Sequence, residues 1–304
     1  MNKKIGFGTW PLGGLAYGQV KESIALATIE TAIDNGIRFF DTANIYGDGK
    51  VEKYLGRIIS TIPDAIIVSK CGYISEKGTD QNFTESYLSR SLDNSLQRLR
   101  KNKIDILLLH SPPEEIIRNG RACEIMDTLR QNGLVVKTGI SLRSIDTFEA
   151  ALKWEGCSVI EVILNLLDQR PIDDGLIEKA YEQGVDVIAR VPLCFGILSG
   201  IHQIGATFSV DDQRSRWSRN QIDNWIGGAE RFRFLENSSR SLLQAALAFC
   251  ISFKEVTYAI PGMKTPEQVR HNILAASSEC LLSSLERNKI RQIWNTLKLL
   301  PPGR

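Results

Sequence analysis

Residues 104–112 read IDILLLHSP, and two earlier stretches have the same construction: IRFFDT at 37–42 and AIIVSKC at 65–71. Each is a short, nearly continuous apolar run that closes on a polar residue: His110, Asp41 and Lys70. A strand that faces solvent on one side alternates apolar and polar residues, whereas an unbroken apolar strand is covered on both faces. That is the condition of a parallel sheet. Working outward, the same signal predicts strands at Ile5–Thr9, Ile37–Asp41, Ala65–Lys70, Ile104–His110, Val135–Ser141, Val159–Leu164, Val185–Arg190 and Val256–Ile260.

Helical periodicity fills the gaps. Leu26, Ile29, Ile33 and Ile37 recur three to four apart, and Leu88, Leu92, Leu96 and Leu99 form one stripe. Gly36, Gly133 and Gly184 each stand just ahead of a strand, where a helix ends in a left-handed residue. Strands alternating with helices over 304 residues predict a closed (β/α)8 TIM barrel of the α/β class. An open doubly wound sheet would carry a Gly-rich turn after its first strand, and no GxGxxG follows any strand here. No Pro- or Ser-rich linker divides the chain, so residues 1–304 are expected to form a single domain. The segment from Cys194 to Ser239 shows no strand pattern and concentrates arginine beside Phe208, Trp217 and Trp225. It is expected as a long loop after strand seven, lying as a flap over the C-terminal mouth of the barrel.

Composition narrows the function. Apolar residues make up 43% and charged residues 24%, a globular profile. Thirty-seven basic against 35 acidic residues leave a net charge of +2, too little to direct binding to nucleic acid or an anionic membrane. No apolar window approaches a membrane span, and no signal peptide is expected behind MNKK. The six cysteines are scattered without a CxxC, and the three histidines share no metal-binding spacing. No metal is therefore expected, and reduced thiols in the cytoplasm are.

In barrels, chemistry sits at the C-terminal strand ends. Strand two leads into Asp41 and Tyr46, strand three ends at Lys70 and strand four at His110. A tyrosine is a weak acid at neutral pH, and an adjacent ammonium favours its phenolate. Asp41 is placed to pair with Lys70, and His110 to hydrogen-bond a reacting oxygen. The set suits proton donation to a carbonyl oxygen as it gains charge.

At these residues the sequence resembles the aldo-keto reductases. GFGTWPLGG (6–14), FDTANIYGDGKVEKYLGR (40–57), IIVSKCG (66–72), DILLLHSPP (105–113), VIARVPLCFGILSG (187–200) and AIPGMKTPEQVRHN (259–272) resemble successive family motifs in the family's order. The resemblance implies carbonyl reduction with NADPH, NADH being the less favoured cofactor, or alcohol oxidation in reverse. The small-molecule substrate itself is left open. It maps the catalytic set onto Asp41, Tyr46, Lys70 and His110, with Tyr46 as general acid–base. It assigns cofactor contacts to Gly8, Thr9, Trp10, Ser141, Glu161, Arg190, Pro192, Leu198, Gly200, Gly262, Met263, Lys264, Thr265, Gln268 and Asn272. In physical terms, the turn at Gly262–Thr265 leads into a helix whose N-terminal N–H groups suit a phosphate. Two positions depart from the family. Leu142 stands where Asn is frequent after strand five, and Glu161 where Gln is usual after strand six. An ionised Glu161 accepts hydrogen bonds but donates none. The altered pair keeps open a second reading, a cofactor-binding regulatory subunit of the same fold.

Overall fold

The computed structural model describes residues 4–76 and 78–297. Its strands are Phe7–Gly8 (β1), Phe39–Asp41 (β2), Ile66–Cys71 (β3), Ile104–His110 (β4), Val135–Ser141 (β5), Cys157–Ile163 (β6), Asp186–Arg190 (β7) and Val256–Ala259 (β8). They form one eight-stranded sheet in sequence order, every neighbouring pair parallel. The last strand returns to the first. The Gly6 N–H donates to the Ala259 carbonyl (2.9 Å) and the Gly8 N–H to that of Pro261 (3.0 Å), which closes the (β/α)8 barrel. Several strands are shorter than the sequence predicts. Ile5, expected inside the first strand, makes only an isolated bridge to Ala259.

Helices Glu22–Asp34 (α1), Lys50–Ile58 (α2), Glu85–Leu99 (α3) and Arg121–Gln131 (α4) cover the first half of the sheet. Leu88, Leu92 and Leu99 of the predicted stripe are buried. On α1 the buried face is instead Ala25, Thr28, Ile29 and Ala32, because small residues let α1 approach its neighbours closely; Leu26 and Ile33 flank it. Gly36, Gly133 and Gly184 all have positive φ, as expected for helix stops.

Strand side chains alternate between the helices outside and the barrel interior. Inside, Phe39, Val68, Ile106, Leu108, Val159, Ile188 and Ile260 form a buried cluster of their own. Two residues further along the same strands come Asp41, Lys70, His110, Glu161 and Arg190, with Ser141 on β5. The inward face therefore changes from apolar to polar at one level, at the C-terminal ends.

The segment after β7 is not the plain loop the sequence predicts. It contains helix Arg219–Glu230 (α5), whose start Ser218 caps by accepting from the Gln221 N–H. Its buried positions, Ile222, Trp225, Ile226 and Ala229, have helical spacing, but the polar residues and the Gly227–Gly228 pair between them obscure it in the sequence. The segment is anchored across the mouth by a bridge between Tyr17 and Asp212 and by the Gln213 N–H donating to the Ala16 carbonyl (2.8 Å).

Gly139 lies in β5 where the register to β6 shifts, and a Cβ there would stand 1.8 Å from the Val159 carbonyl oxygen. Gly139→Ala must push these strands apart and is expected to cost about 1–3 kcal/mol or more. A urea melt with an unchanged midpoint would contradict this reading of the strand contact.

Candidate active site

The polar level of the barrel centres on Lys70. Its ammonium, 1% exposed, lies 2.6 Å from both carboxylate oxygens of Asp41. It also donates to the Thr42 carbonyl (3.1 Å) and stands 3.5 Å from the Tyr46 hydroxyl. Thr42, Asn44 and Tyr46 follow β2 directly, and the Thr42 N–H and Asn44 N–H donate to carbonyls of β3. That pairing carries the chain from Asp41 back towards Lys70 and delivers Tyr46 to the mouth. His110, from the next strand, meets the Tyr46 ring edge-on at 6.1 Å and the Tyr73 ring at 4.9 Å. The four residues read from the strand ends are thus brought together.

Burial works against the Lys70 charge, but Asp41 and then Glu161 outweigh it and hold the ammonium protonated above its ordinary range. Burial pushes the Tyr46 phenol up, with Lys70 opposing. The sequence led us to expect Lys70 to leave the phenol more acidic; desolvation is the larger effect, and Tyr46 stands as a neutral phenol. Burial first, then Lys70 and Arg190, hold the His110 imidazole well below 6.5.

Beside this set lie Ser141, Glu161 and Arg190. The Ser141 hydroxyl donates to Glu161 Oε1 (3.0 Å), and Glu161 Oε2 is 3.4 Å from Lys70 Nζ. Arg190 donates to the carbonyl of Leu142 (2.8 Å), so Leu142 contributes through its backbone. Among the described residues, the buried polar side-chain atoms without a hydrogen-bond partner include His110 Nδ1, Glu161 Oε2, Arg190 Nε and Asn272 Oδ1, with Thr42 Oγ1 and Asn44 Oδ1 on the turn after β2. Buried polar atoms are normally paired, so such a set fits a site that takes a polar ligand.

The remaining expected cofactor residues divide. Gly8 ends β1 and Thr9 and Trp10 follow it at the mouth, although the Thr9 hydroxyl is spent on the Asp41 carbonyl (2.7 Å). A Cβ on Gly8 would lie 2.7 Å from the Ile260 carbonyl and one on Gly262 2.7 Å from the Pro11 ring, so these glycines keep the β1 and β8 ends close. Met263 and Leu198 are buried in the core, which leaves only their backbone for a ligand; Pro192 is buried as well. Gly200 takes a positive φ and its carbonyl accepts from Arg233 (2.6 Å). Thr265 caps helix Pro266–Ile273 by accepting from the Gln268 N–H, while the Gln268 side chain accepts from the Lys264 N–H (2.7 Å). The Lys264 ammonium donates to the Tyr17 carbonyl (2.7 Å), tying this turn to the anchored segment over the mouth.

Sequence reasoning missed Glu76. Its carboxylate accepts from the Trp10 indole (2.8 Å) and from the Gly47 N–H, which holds Trp10 stacked on Tyr46 with ring centres 6.1 Å apart. It lies in an irregular polar loop where no periodicity marks a residue, so only the contact reveals it.

The barrel and this mouth define a class. The Aldo/keto reductase family matches residues 4–295, and the chain belongs to that family of NAD(P)H-dependent oxidoreductases. Among its relatives is L-galactose dehydrogenase of Arabidopsis thaliana, 27% identical over 284 residues, 90% of this chain and 84% of that protein. A glycerol dehydrogenase from Gluconobacter oxydans shares the fold with a TM-score of 0.82 at 24% identity, over 98% of this chain and 93% of that one. An aldo/keto reductase from Klebsiella pneumoniae, solved with NADP and acetate, matches with a TM-score of 0.72 at 23% identity, over 99% of this chain and 93% of that one. No helix among the described residues is long and apolar enough to cross a membrane.

The His110 environment yields a test of stability. An imidazole kept neutral in the fold but titrating near 6.5 when unfolded lets the unfolded chain bind an extra proton as pH falls. Stability is therefore lost below about pH 6.5, by about 2 kcal/mol at pH 5 for one such group. His110→Gln removes this loss, so the stability of the parent relative to the variant should decline between pH 7 and pH 5. A constant difference in Tm across that range would show that His110 is not held neutral.

Proposed function

We propose that this chain reduces an aldehyde or ketone to the alcohol, or oxidises the alcohol, at the mouth formed by Tyr46, Lys70, Asp41 and His110, using NADPH in preference to NADH. The observation that carries the reading is the buried Asp41–Lys70 pair with the Tyr46 hydroxyl 3.5 Å from the ammonium. The open polar atoms of Glu161, Arg190 and Asn272 fit a nicotinamide nucleotide laid across the mouth. In this reading Ser141 and Glu161 hold the carboxamide end, the Gly262–Thr265 turn a phosphate, and Asn272 the adenosine end. The reduced nicotinamide supplies the hydride when bound.

The chain's own residues then govern the proton. Tyr46, a neutral phenol in its buried setting, donates its proton to the carbonyl oxygen as charge develops there. The Lys70 ammonium stabilises the phenolate left behind, and Asp41 keeps that ammonium in place. His110, uncharged, orients the oxygen without competing for the proton. Trp10, stacked on Tyr46, walls the substrate side. Lys264, which precedes the helix, and the exposed Arg270 on it are assigned to the 2′-phosphate of NADPH. The six buried free cysteines suit the reducing conditions of the cytoplasm.

Tyr46→Phe should keep cofactor affinity and lose about 10²–10⁴-fold in carbonyl turnover, because only the proton donor is removed. Turnover equal to the parent's would dismiss Tyr46 as the acid. NADPH binding by a parent that turns over no member of a broad carbonyl and alcohol panel would identify a binding subunit instead. Lys264→Ala combined with Arg270→Ala should weaken NADPH more than NADH in a fluorescence titration. Equal weakening would remove both residues from the 2′-phosphate.

A further inference from the structure

Glu161 has an open place that its neighbours do not fill. It sits on the inward face of β6 and is 2% exposed. Its Oε1 accepts from the Ser141 hydroxyl at 3.0 Å, and its Oε2 is buried without a hydrogen bond. Lys70, 3.4 Å away, does not supply one. An ammonium has three N–H donors, and four acceptors already share those of Lys70: both oxygens of Asp41, the carbonyl of Thr42 and the hydroxyl of Tyr46. Arg190 Nε is 4.0 Å from Oε1, too far for a hydrogen bond, and is itself unpartnered. The polar level thus holds two carboxylates around one committed ammonium, with one guanidinium at its margin. Burial first, and then Glu161, push the Asp41 carboxyl well above its ordinary range.

A buried carboxylate oxygen without a donor is costly, and a ligand that brings a donor or a positive charge relieves it. If the nicotinamide lies here, as the proposed function has it, its carboxamide N–H is available in both redox forms, but only the oxidised ring carries a positive charge. The geometry points to Glu161 as the residue that biases this site towards the oxidised cofactor, and hence towards carbonyl reduction, since the alcohol and the oxidised cofactor stand on the same side of the reaction. The hydrogen bond raises affinity for both forms alike; the charge discriminates. A ligand shifts an equilibrium only by its differential affinity for the two states. Tighter holding of the oxidised form therefore moves the bound reaction towards the oxidised cofactor and the alcohol, the direction of carbonyl reduction.

The test compares the affinities of NADP⁺ and NADPH for the full chain by calorimetric titration, in the parent and in Glu161→Gln. The same is done with NAD⁺ and NADH, so that the 2′-phosphate does not enter. The parent is expected to bind the oxidised form at least as tightly as the reduced one. Glu161→Gln keeps the shape and the Ser141 contact, and should lower the ratio of reduced to oxidised dissociation constants by about tenfold. Affinity for 2′-phospho-ADP-ribose, which lacks the ring, should not change. An unchanged ratio in a folded variant overturns the inference and leaves the proposed function standing. If Glu161→Gln does not fold, the parent decides alone: NADPH bound about tenfold more tightly than NADP⁺ overturns the inference. A parent that binds none of these nucleotides overturns both.

Discussion

A lysine ammonium enclosed in a barrel is unstable unless its surroundings replace water, and Lys70 meets that requirement with Asp41, the Thr42 carbonyl and Glu161. Removing one partner of such a buried pair typically costs about 3–5 kcal/mol, because the other charge is left without compensation. The constraint spreads outward. Asp41 must end β2 in register with β3, since Asp41 pairs with Val68 and Lys70 lies two residues beyond. The chain must then turn at Thr42–Tyr46 within reach of the ammonium. The position of Tyr46 follows from how Lys70 is satisfied.

The barrel makes this affordable by separating two levels. Below, the inward side chains are apolar and pack into a dry cluster. Above, the same period-two alternation presents Asp41, Lys70, His110, Ser141, Glu161 and Arg190 to one another. Each charge is fixed by rigid strand rather than by loop, so the site is organised without a ligand. The walls are less regular. Glu76 joins Trp10 to the turn after Tyr46, and Lys264 joins the turn after β8 to Tyr17. These ties come from loops that the strands merely bring near one another.

Electrostatics inside the mouth differ from what the residue types alone imply. A lysine beside a tyrosine is expected to lower the phenol's pKa, yet desolvation outweighs it here. The imidazole is likewise neutral because it is buried between cations rather than beside a carboxylate. Both outcomes favour a site that holds its proton on the phenol until charge develops on a bound oxygen. Of the two departures from the family, Leu142 acts through its carbonyl to Arg190, so its apolar side chain costs that contact nothing. Glu161 matters more, because its negative charge enters the same network as Lys70.

The strands, their parallel order and the polar residue that closes each one were legible in the sequence, because continuous apolar runs, strand-end positions and helix-stopping glycines are local signals. Asp41, Lys70 and His110 could be read from those ends without knowing any contact. Helix α5 was not read, since its buried stripe of Ile222, Trp225, Ile226 and Ala229 is broken by glycine and polar residues. Glu76 carried no signal at all. The protonation of Tyr46, the open oxygen of Glu161 and the committed donors of Lys70 were decided only by the tertiary structure. Each depends on how much water is excluded and which groups face one another across the barrel, and residues far apart in the chain determine both.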